Sequence, residues 1–176
     1  MAEDCLILVN YRDEQIGQGY KLEVHKKGLL HRAFSVFLYD GNKLLIQKRA
    51  SNKYYSAGLW ANTCCSHPRV GEKLEMAVQR RLLEEVGVSC DVKHLNSFVY
   101  REVFDELSEY ELDHIFVGEY KGGFVCNKEE AEEMQYVDID WLAKDMVEAP
   151  QKYAAWFLTA FPMVYQYLIK QREKEF

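Results

Sequence analysis

Residues 72–87 constrain the fold most tightly. Apolar side chains recur there at helical spacing, and Gly87 stops the run. Set 100° apart, Leu74, Ala77, Val78, Leu82 and Val86 make one stripe, so the segment is predicted to be a helix with one face against a core. Arg81 and Glu85 fall inside that stripe, one turn apart. Burying a charge costs on the order of several kcal/mol unless it is paired or binds something. Two readings follow: a buried Arg81–Glu85 ion pair, or a helix that lines a polar, ligand-filled pocket. Just upstream, Cys65-Ser66-His67-Pro68 sets a thiol and an imidazole two residues apart.

The rest of the chain reads mainly as strands. Cys5 to Asn10 is a first strand, and Asp13-Glu14 with Gly17 and Gly19 reads as a loop. Lys21 to His25 alternates and reads as extended, broken at Lys26-Lys27-Gly28. His31 to Tyr39 and Lys43 to Gln47 flank Asp40-Gly41-Asn42, a hairpin signal. Lys48 to Asn62 reads as a loop. Phe98 to Glu102 and Glu111 to Tyr120 are two more strands with a polar segment between them. Tyr136 to Asp138 is a short strand before a helix at Ile139 to Val147. A final aromatic helical region covers Tyr153 to Lys170, bent or interrupted near Pro162. One central helix and a helical C-terminus among strands predict a mixed α+β sandwich.

At 176 residues the chain reads as one domain, residues 1–176, and 48% hydrophobic content excludes disorder. A net charge of −6 argues against nucleic acid as a partner but permits a local basic pocket. Five cysteines without a CxxC pair suit a reduced, cytoplasmic protein. The acidic Met1–Asp4 and the short apolar run Cys5 to Val9 do not read as a signal peptide, and Lys174-Glu175-Phe176 carries no lipidation signal. The longest apolar stretch, Tyr153 to Ile169, is too short and too polar to span a bilayer, so no membrane partner is expected. A monomer is the expectation.

Three groups of side chains could carry chemistry. On an extended strand, i and i+2 share a face, so Glu109 and Glu111 can converge on one point. Histidines are scarce: His25, His31, His67, His94 and His114. Three imidazoles with two carboxylates would suit a divalent ion of the Mn, Zn or Fe type, although spacing alone leaves open which histidines join. Lys21, Arg49, Lys53 and Arg81 would make four cations for a diphosphate-like anion, and Glu84 and Glu85 could hold a Mg2+ bridging to its oxygens.

Ser66-x5-Glu72-x7-Arg80-Arg81-Leu82-x-Glu84-Glu85-x-Gly87-Val88 resembles a degenerate Nudix box. Ser66 stands where the usual pattern begins with Gly, and Arg81 where it has Glu after the first Arg. With Trp60-x-Asn62-Thr63-Cys64-Cys65-Ser66-His67-Pro68 upstream, the chain resembles the type 1 isopentenyl-diphosphate isomerases of the Nudix superfamily. That resemblance implies a Nudix-type α/β/α sandwich with a mixed sheet and an added C-terminal helical cover. It implies conversion of isopentenyl to dimethylallyl diphosphate in isoprenoid biosynthesis, by metal-dependent protonation and deprotonation through a carbocation-like intermediate.

Position by position, it implies His25, His31, His67, Glu109 and Glu111 as ligands of one divalent ion (Mn2+, Zn2+ or Mg2+). It implies Cys65 and Glu111 as the acid–base pair, Tyr100 as an active-site phenol, and Cys64 as a non-catalytic neighbour. Lys21, Arg49, Lys53 and Arg81 match diphosphate-binding positions, Glu85 matches the ligand of a substrate-bound Mg2+, and Trp156 matches an indole near the hydrocarbon tail. His94 and His114 match nothing and are left structural. Two rivals remain: a Nudix hydrolase acting on a nucleoside diphosphate derivative, which Arg81 and Cys65 disfavour, and a metal-stabilised binding module without turnover.

Overall fold

The computed structural model describes residues 4–174; Met1 to Glu3 and the last two residues, on which parts of the terminal readings fall, lie outside them. The central element is β3 (His31–Asp40), buried over most of its length. Strand β8 (Leu107–Glu119) runs parallel along one edge of β3, from His31 opposite Glu111 to Tyr39 opposite Glu119. Three strands share the other edge in turn: β1 (Cys5–Val9) at His31, β6 (Cys64–Ser66) at Phe34 to Val36, and β4 (Lys43–Arg49) at Tyr39 and Asp40. The sheet is completed by β2 (Gln15–Tyr20) on β1, β5 (Trp60–Ala61) and β9 (Ala131–Asp138) on β4, and β7 (Lys93–Phe104) on β8.

Alternation along the strands divides the core into two layers. On one face, Phe34, Val36, Leu38 and Phe116 pack against Ala77, Val78, Leu82 and Val86 of α2 (Leu74–Val86), the stripe read from the sequence. On the other, Phe37, Ile115 and Val117 pack against α3 (Ile139–Glu148) and α4 (Ala155–Lys174). This is the expected α/β/α arrangement with a C-terminal helical cover. Gly87, at φ +67°, caps α2 and donates to the carbonyls of its last turn.

Several local expectations are corrected. Lys21 to His25 is not extended but belongs to a short helix, α1 (Lys21–Lys27). Gly28 at φ +60° closes that helix, and a Glu23–Lys27 ion pair one turn apart supports it. The alternation misleads because Leu22 is half exposed and only Val24 and His25 are buried. The segment with Gly17 and Gly19 is strand β2, not a loop, because β1 supplies a partner edge. Likewise β7 and β8 are one long hairpin, turning at Asp105-Glu106, rather than two strands joined by a polar segment. The C-terminal helix begins at Ala155 and continues through Pro162, held by the burial of Trp156, Phe157, Ala160, Phe161, Val164 and Leu168. Among the described residues no helix is long and apolar enough to cross a membrane.

Candidate active site

The edges of β3 face a cavity of about 410 Å³. Lys21, Arg49, Lys53, Cys65, His67, Arg81, Tyr100, Glu109, Glu111 and Trp156 all line it, so ten of the residues named from the sequence come together. His25 and His31 lie behind the wall, almost fully buried beside His67. Glu85 is not part of the lining: it is buried behind Arg81, whose guanidinium donates to it.

The three imidazoles converge. His25, His31 and His67 each offer a ligand atom, and these atoms lie within 4.8 Å of one another. The Nε2 atoms of His25 and His31 are buried without a hydrogen-bond partner. Their other ring nitrogens are engaged: His31 Nδ1 bonds to the Leu29 carbonyl at 2.9 Å and His25 Nδ1 to the Tyr55 hydroxyl at 2.8 Å. That pattern fixes the rings with free nitrogens aimed at one point, as a metal site requires. Burial pulls the imidazoles down, His25 to about 3 and His67 to about 4, so both are neutral at ordinary pH, the form that can bind a metal.

The carboxylates join this cluster. Glu111 Oε1 lies 2.8 Å from His67 Nε2 and 3.4 Å from His31 Nε2. Burial alone would raise the Glu111 carboxyl, but the hydrogen bond with His67 and the proximity of both imidazoles outweigh it and hold the group well below the usual range. Glu109 has no such support. Burial and the neighbouring Glu111 push it up to about 8. The Tyr100 hydroxyl stands between the two, 2.9 Å from Glu109 and 2.8 Å from Glu111.

Adjacent residues of β6 point to opposite faces. Cys64 is fully buried in the α2 layer, whereas Cys65 lines the cavity. Burial pushes the Cys65 thiol up, against the opposing pull of Arg49, whose Nη1 lies 3.9 Å from the sulfur. The same guanidinium sits 5.0 Å from the centroid of the Trp156 ring. Trp156 is buried and donates its indole N–H to Asn62 Oδ1 at 3.0 Å.

Arg81 and Glu85 form the ion pair of the first reading, and Arg81 also lines the cavity, with its Nε buried and unpartnered. Glu84 receives Arg81 at 2.7 Å and is half exposed. Glu72 fastens the loop before α2 by accepting Arg80 through both oxygens, at 2.7 and 2.9 Å, and the Arg69 backbone N–H at 2.8 Å. His94 and His114 lie apart from the cavity lining. They bond to each other at 3.0 Å, and His114 to Asp13 at 2.9 Å, tying β8 to the β1–β2 turn.

Asp113 and Glu130 are two of the lining residues not singled out in the sequence. Asp113 follows Glu109 and Glu111 on the same face of β8; it accepts Ser35 Oγ at 2.7 Å, and its Oδ1 is buried without a partner. The i, i+2, i+4 alternation of acids was a legible signal for it. Glu130 accepts Lys53 at 2.5 Å and Arg81 at 3.3 Å, and nothing in its acidic run distinguishes it from its neighbours.

A model of the NUDIX domain matches residues 29–157. The fold is shared with solved NUDIX structures: a MutT NUDIX hydrolase from Burkholderia pseudomallei superposes with a TM-score of 0.64 at 17% identity, covering 77% of this chain and 98% of that one. A Deinococcus radiodurans protein superposes with a TM-score of 0.73, also at 17% identity, over 90% of this chain and 98% of its own. The sequence is 48% identical to isopentenyl-diphosphate Delta-isomerase 1 of Aromatoleum aromaticum over 156 residues, 88% of each chain. It is 41% identical to the isopentenyl-diphosphate Delta-isomerase of Aliivibrio fischeri over 175 residues, covering 94% of this chain and 97% of that one. The chain belongs to this family of isopentenyl-diphosphate Delta-isomerases, enzymes built on the NUDIX domain.

Proposed function

We propose that the protein interconverts isopentenyl and dimethylallyl diphosphate by adding a proton at one carbon and removing another two bonds away. The names of its relatives support the substrate. The observation that carries the reading is the pairing, in one cavity, of clustered cations with a protonated thiol and an ionised carboxylate. Lys21, Arg49, Lys53 and Arg81, which all line the cavity, receive the diphosphate. Glu85 would offer a hard oxygen ligand to a Mg2+ shared with the phosphates once Arg81, which covers it, turns toward the anion.

Cys65 and Glu111 act at the other end. They stand on strands that flank β3 from opposite edges. In the free protein Cys65 Sγ holds a proton and Glu111 lacks one, so the site contains one donor and one acceptor. Tyr100 donates to Glu111 and orients it. His25, His31 and His67, with Glu109 and Glu111, are the residues that would hold a divalent ion, and their donor set of imidazole and carboxylate fits Mn2+ or Zn2+ as well as Mg2+. Such an ion, when bound, supplies fixed positive charge that sets the acidity of Glu111.

A carbocation-like species must be kept from water. The start of α4 supplies that cover through its buried Trp156, which lines the cavity. Trp156 offers a π face to the cation, a contact worth about 2 kcal/mol when desolvated. Arg49 lies over that ring in the free protein, so the role requires its guanidinium to shift onto the diphosphate.

Arg81 in place of the Nudix glutamate leaves a hydrolase without a carboxylate at that position. Incubation with isopentenyl diphosphate and Mg2+, followed by NMR of the products, tests the choice. Dimethylallyl diphosphate supports the isomerase, release of inorganic phosphate supports the hydrolase, and unchanged substrate contradicts both.

A further inference from the structure

The cation cluster of the cavity is already half occupied by a carboxylate of the chain itself. Glu130 Oε2 accepts Lys53 Nζ at 2.5 Å, and its Oε1 lies 3.3 Å from Arg81 Nη2. Two cations from different elements, one in the loop after β4 and one on α2, are thus bridged by one anion from the turn before β9. Lys21 and Arg49, the other two, have no carboxylate partner among the described residues. Arg81 itself lines the same cavity, and its Nε is buried and unpartnered.

The backbone around Glu130 is fastened by its own hydrogen bonds, whereas its side chain is held by Lys53 and Arg81 alone. The Glu130 carbonyl accepts the Ala50 N–H at 3.1 Å, and its N–H donates to the Asn127 carbonyl at 3.0 Å. Asn127 in turn donates to the Glu84 and Glu85 carbonyls at the end of α2. The side chains of Glu130 and Lys53 remain about a quarter exposed, so water can receive the carboxylate once it leaves. A tethered carboxylate on three rotatable bonds can swing aside without the turn moving.

We infer that Glu130 is a built-in stand-in for the substrate's diphosphate, holding Lys53 and Arg81 in the free protein and giving way when the diphosphate binds. This rests on the diphosphate-binding reading of the cavity. The exchange selects for highly charged ligands. A singly charged anion gains little by displacing a carboxylate from two cations, whereas a diphosphate brings more charge and more oxygens to share between them. The bridge also keeps two like charges from repelling each other while the site is free.

The test is calorimetric binding of inorganic pyrophosphate, in the presence of Mg2+, to the wild type, to Glu130→Gln and to Glu129→Gln. Glu129 is exposed and outside the cavity lining, so its variant removes the same charge without the contact. The inference predicts that Glu130→Gln binds pyrophosphate at least five-fold more tightly than wild type, while Glu129→Gln is unchanged. In steady-state kinetics Glu130→Gln should lower KM. Equal or weaker pyrophosphate binding by Glu130→Gln, or an equal gain in Glu129→Gln, overturns it while leaving the diphosphate site standing. A wild type that binds no pyrophosphate overturns the diphosphate reading, and this inference with it.

Discussion

Tyr100 and Glu111 are register partners on β7 and β8, and the phenol donates to the carboxylate at 2.8 Å across that rung. The same hydroxyl reaches Glu109 at 2.9 Å, so one phenolic proton serves two acids two residues apart. Burial and both carboxylates push the Tyr100 phenol well above its ordinary range, and it therefore stays a donor.

Removing that donor should act on chemistry rather than on binding. Tyr100→Phe is expected to lower kcat on the order of 10²-fold, the usual scale for a group assisting proton transfer. The KM should stay close to that of the wild type, because the diphosphate cations are untouched. Equal loss in kcat and in substrate affinity would show that Tyr100 shapes the pocket instead.

Tyr55 gives a test of the histidine cluster that leaves every candidate ligand in place. Its hydroxyl bonds to His25 Nδ1 at 2.8 Å and so fixes the ring. Tyr55→Phe should weaken binding of the divalent ion by about 10- to 100-fold, the typical cost of losing such an outer partner. Titration of the chelator-treated protein with Mn2+ or Zn2+ measures this directly. Unchanged affinity would mean that the three histidines do not bind the ion through that arrangement.

The metal-free protein should also have a characteristic pH dependence. The folded state raises Glu109 from 4.5 to about 8, through burial and Glu111, so it holds a proton that the unfolded chain has released. Stability is therefore lost as pH rises toward 8. His25 and His67 act in the opposite sense, since burial lowers them from 6.5 to about 3 and about 4 and their contribution is lost as pH falls below 6.5. Between pH 6.5 and 8 the Glu109 effect stands alone of these three and amounts to about 2 kcal/mol. Thermal melts in chelator should show Tm falling across that window, and a bound divalent ion should abolish the fall by stabilising the ionised carboxylate. A flat metal-free profile would contradict a buried Glu109 held protonated beside Glu111.

Legibility in the sequence followed the range over which each signal acts. The period of α2, its Gly87 stop and the Asp40-Gly41-Asn42 hairpin are local, and each appears where the residues place it. Arg81 and Glu85 break a pattern set by their immediate neighbours, and Arg81 proves to line the cavity while Glu85 is buried behind it. By contrast α1 has seven residues, two of them buried, and five alternating side chains in so short a helix mimic a strand. Strand β2 forms because β1 offers an edge, a tertiary fact. Glu130 lies 49 positions from Arg81 in a run with Glu129, Glu132 and Glu133, and only the docking of its turn on α2 selects it. Cys64 and Cys65 are chemically identical in sequence, and the pairing of β6 with β3 decides which faces the cavity.

The central claim is that Cys65 and Glu111 exchange protons with a bound isoprenoid diphosphate. Its most direct test is NMR of isopentenyl diphosphate incubated in D2O and Mg2+ with wild type and with Cys65→Ala, alongside pyrophosphate binding to both. The account predicts that the wild type forms dimethylallyl diphosphate carrying deuterium. Cys65→Ala should form no product, at least 10³-fold slower than wild type on the scale of acid–base catalysis, while binding pyrophosphate with nearly unchanged affinity. Deuterated product formed by Cys65→Ala at the wild-type rate would contradict it.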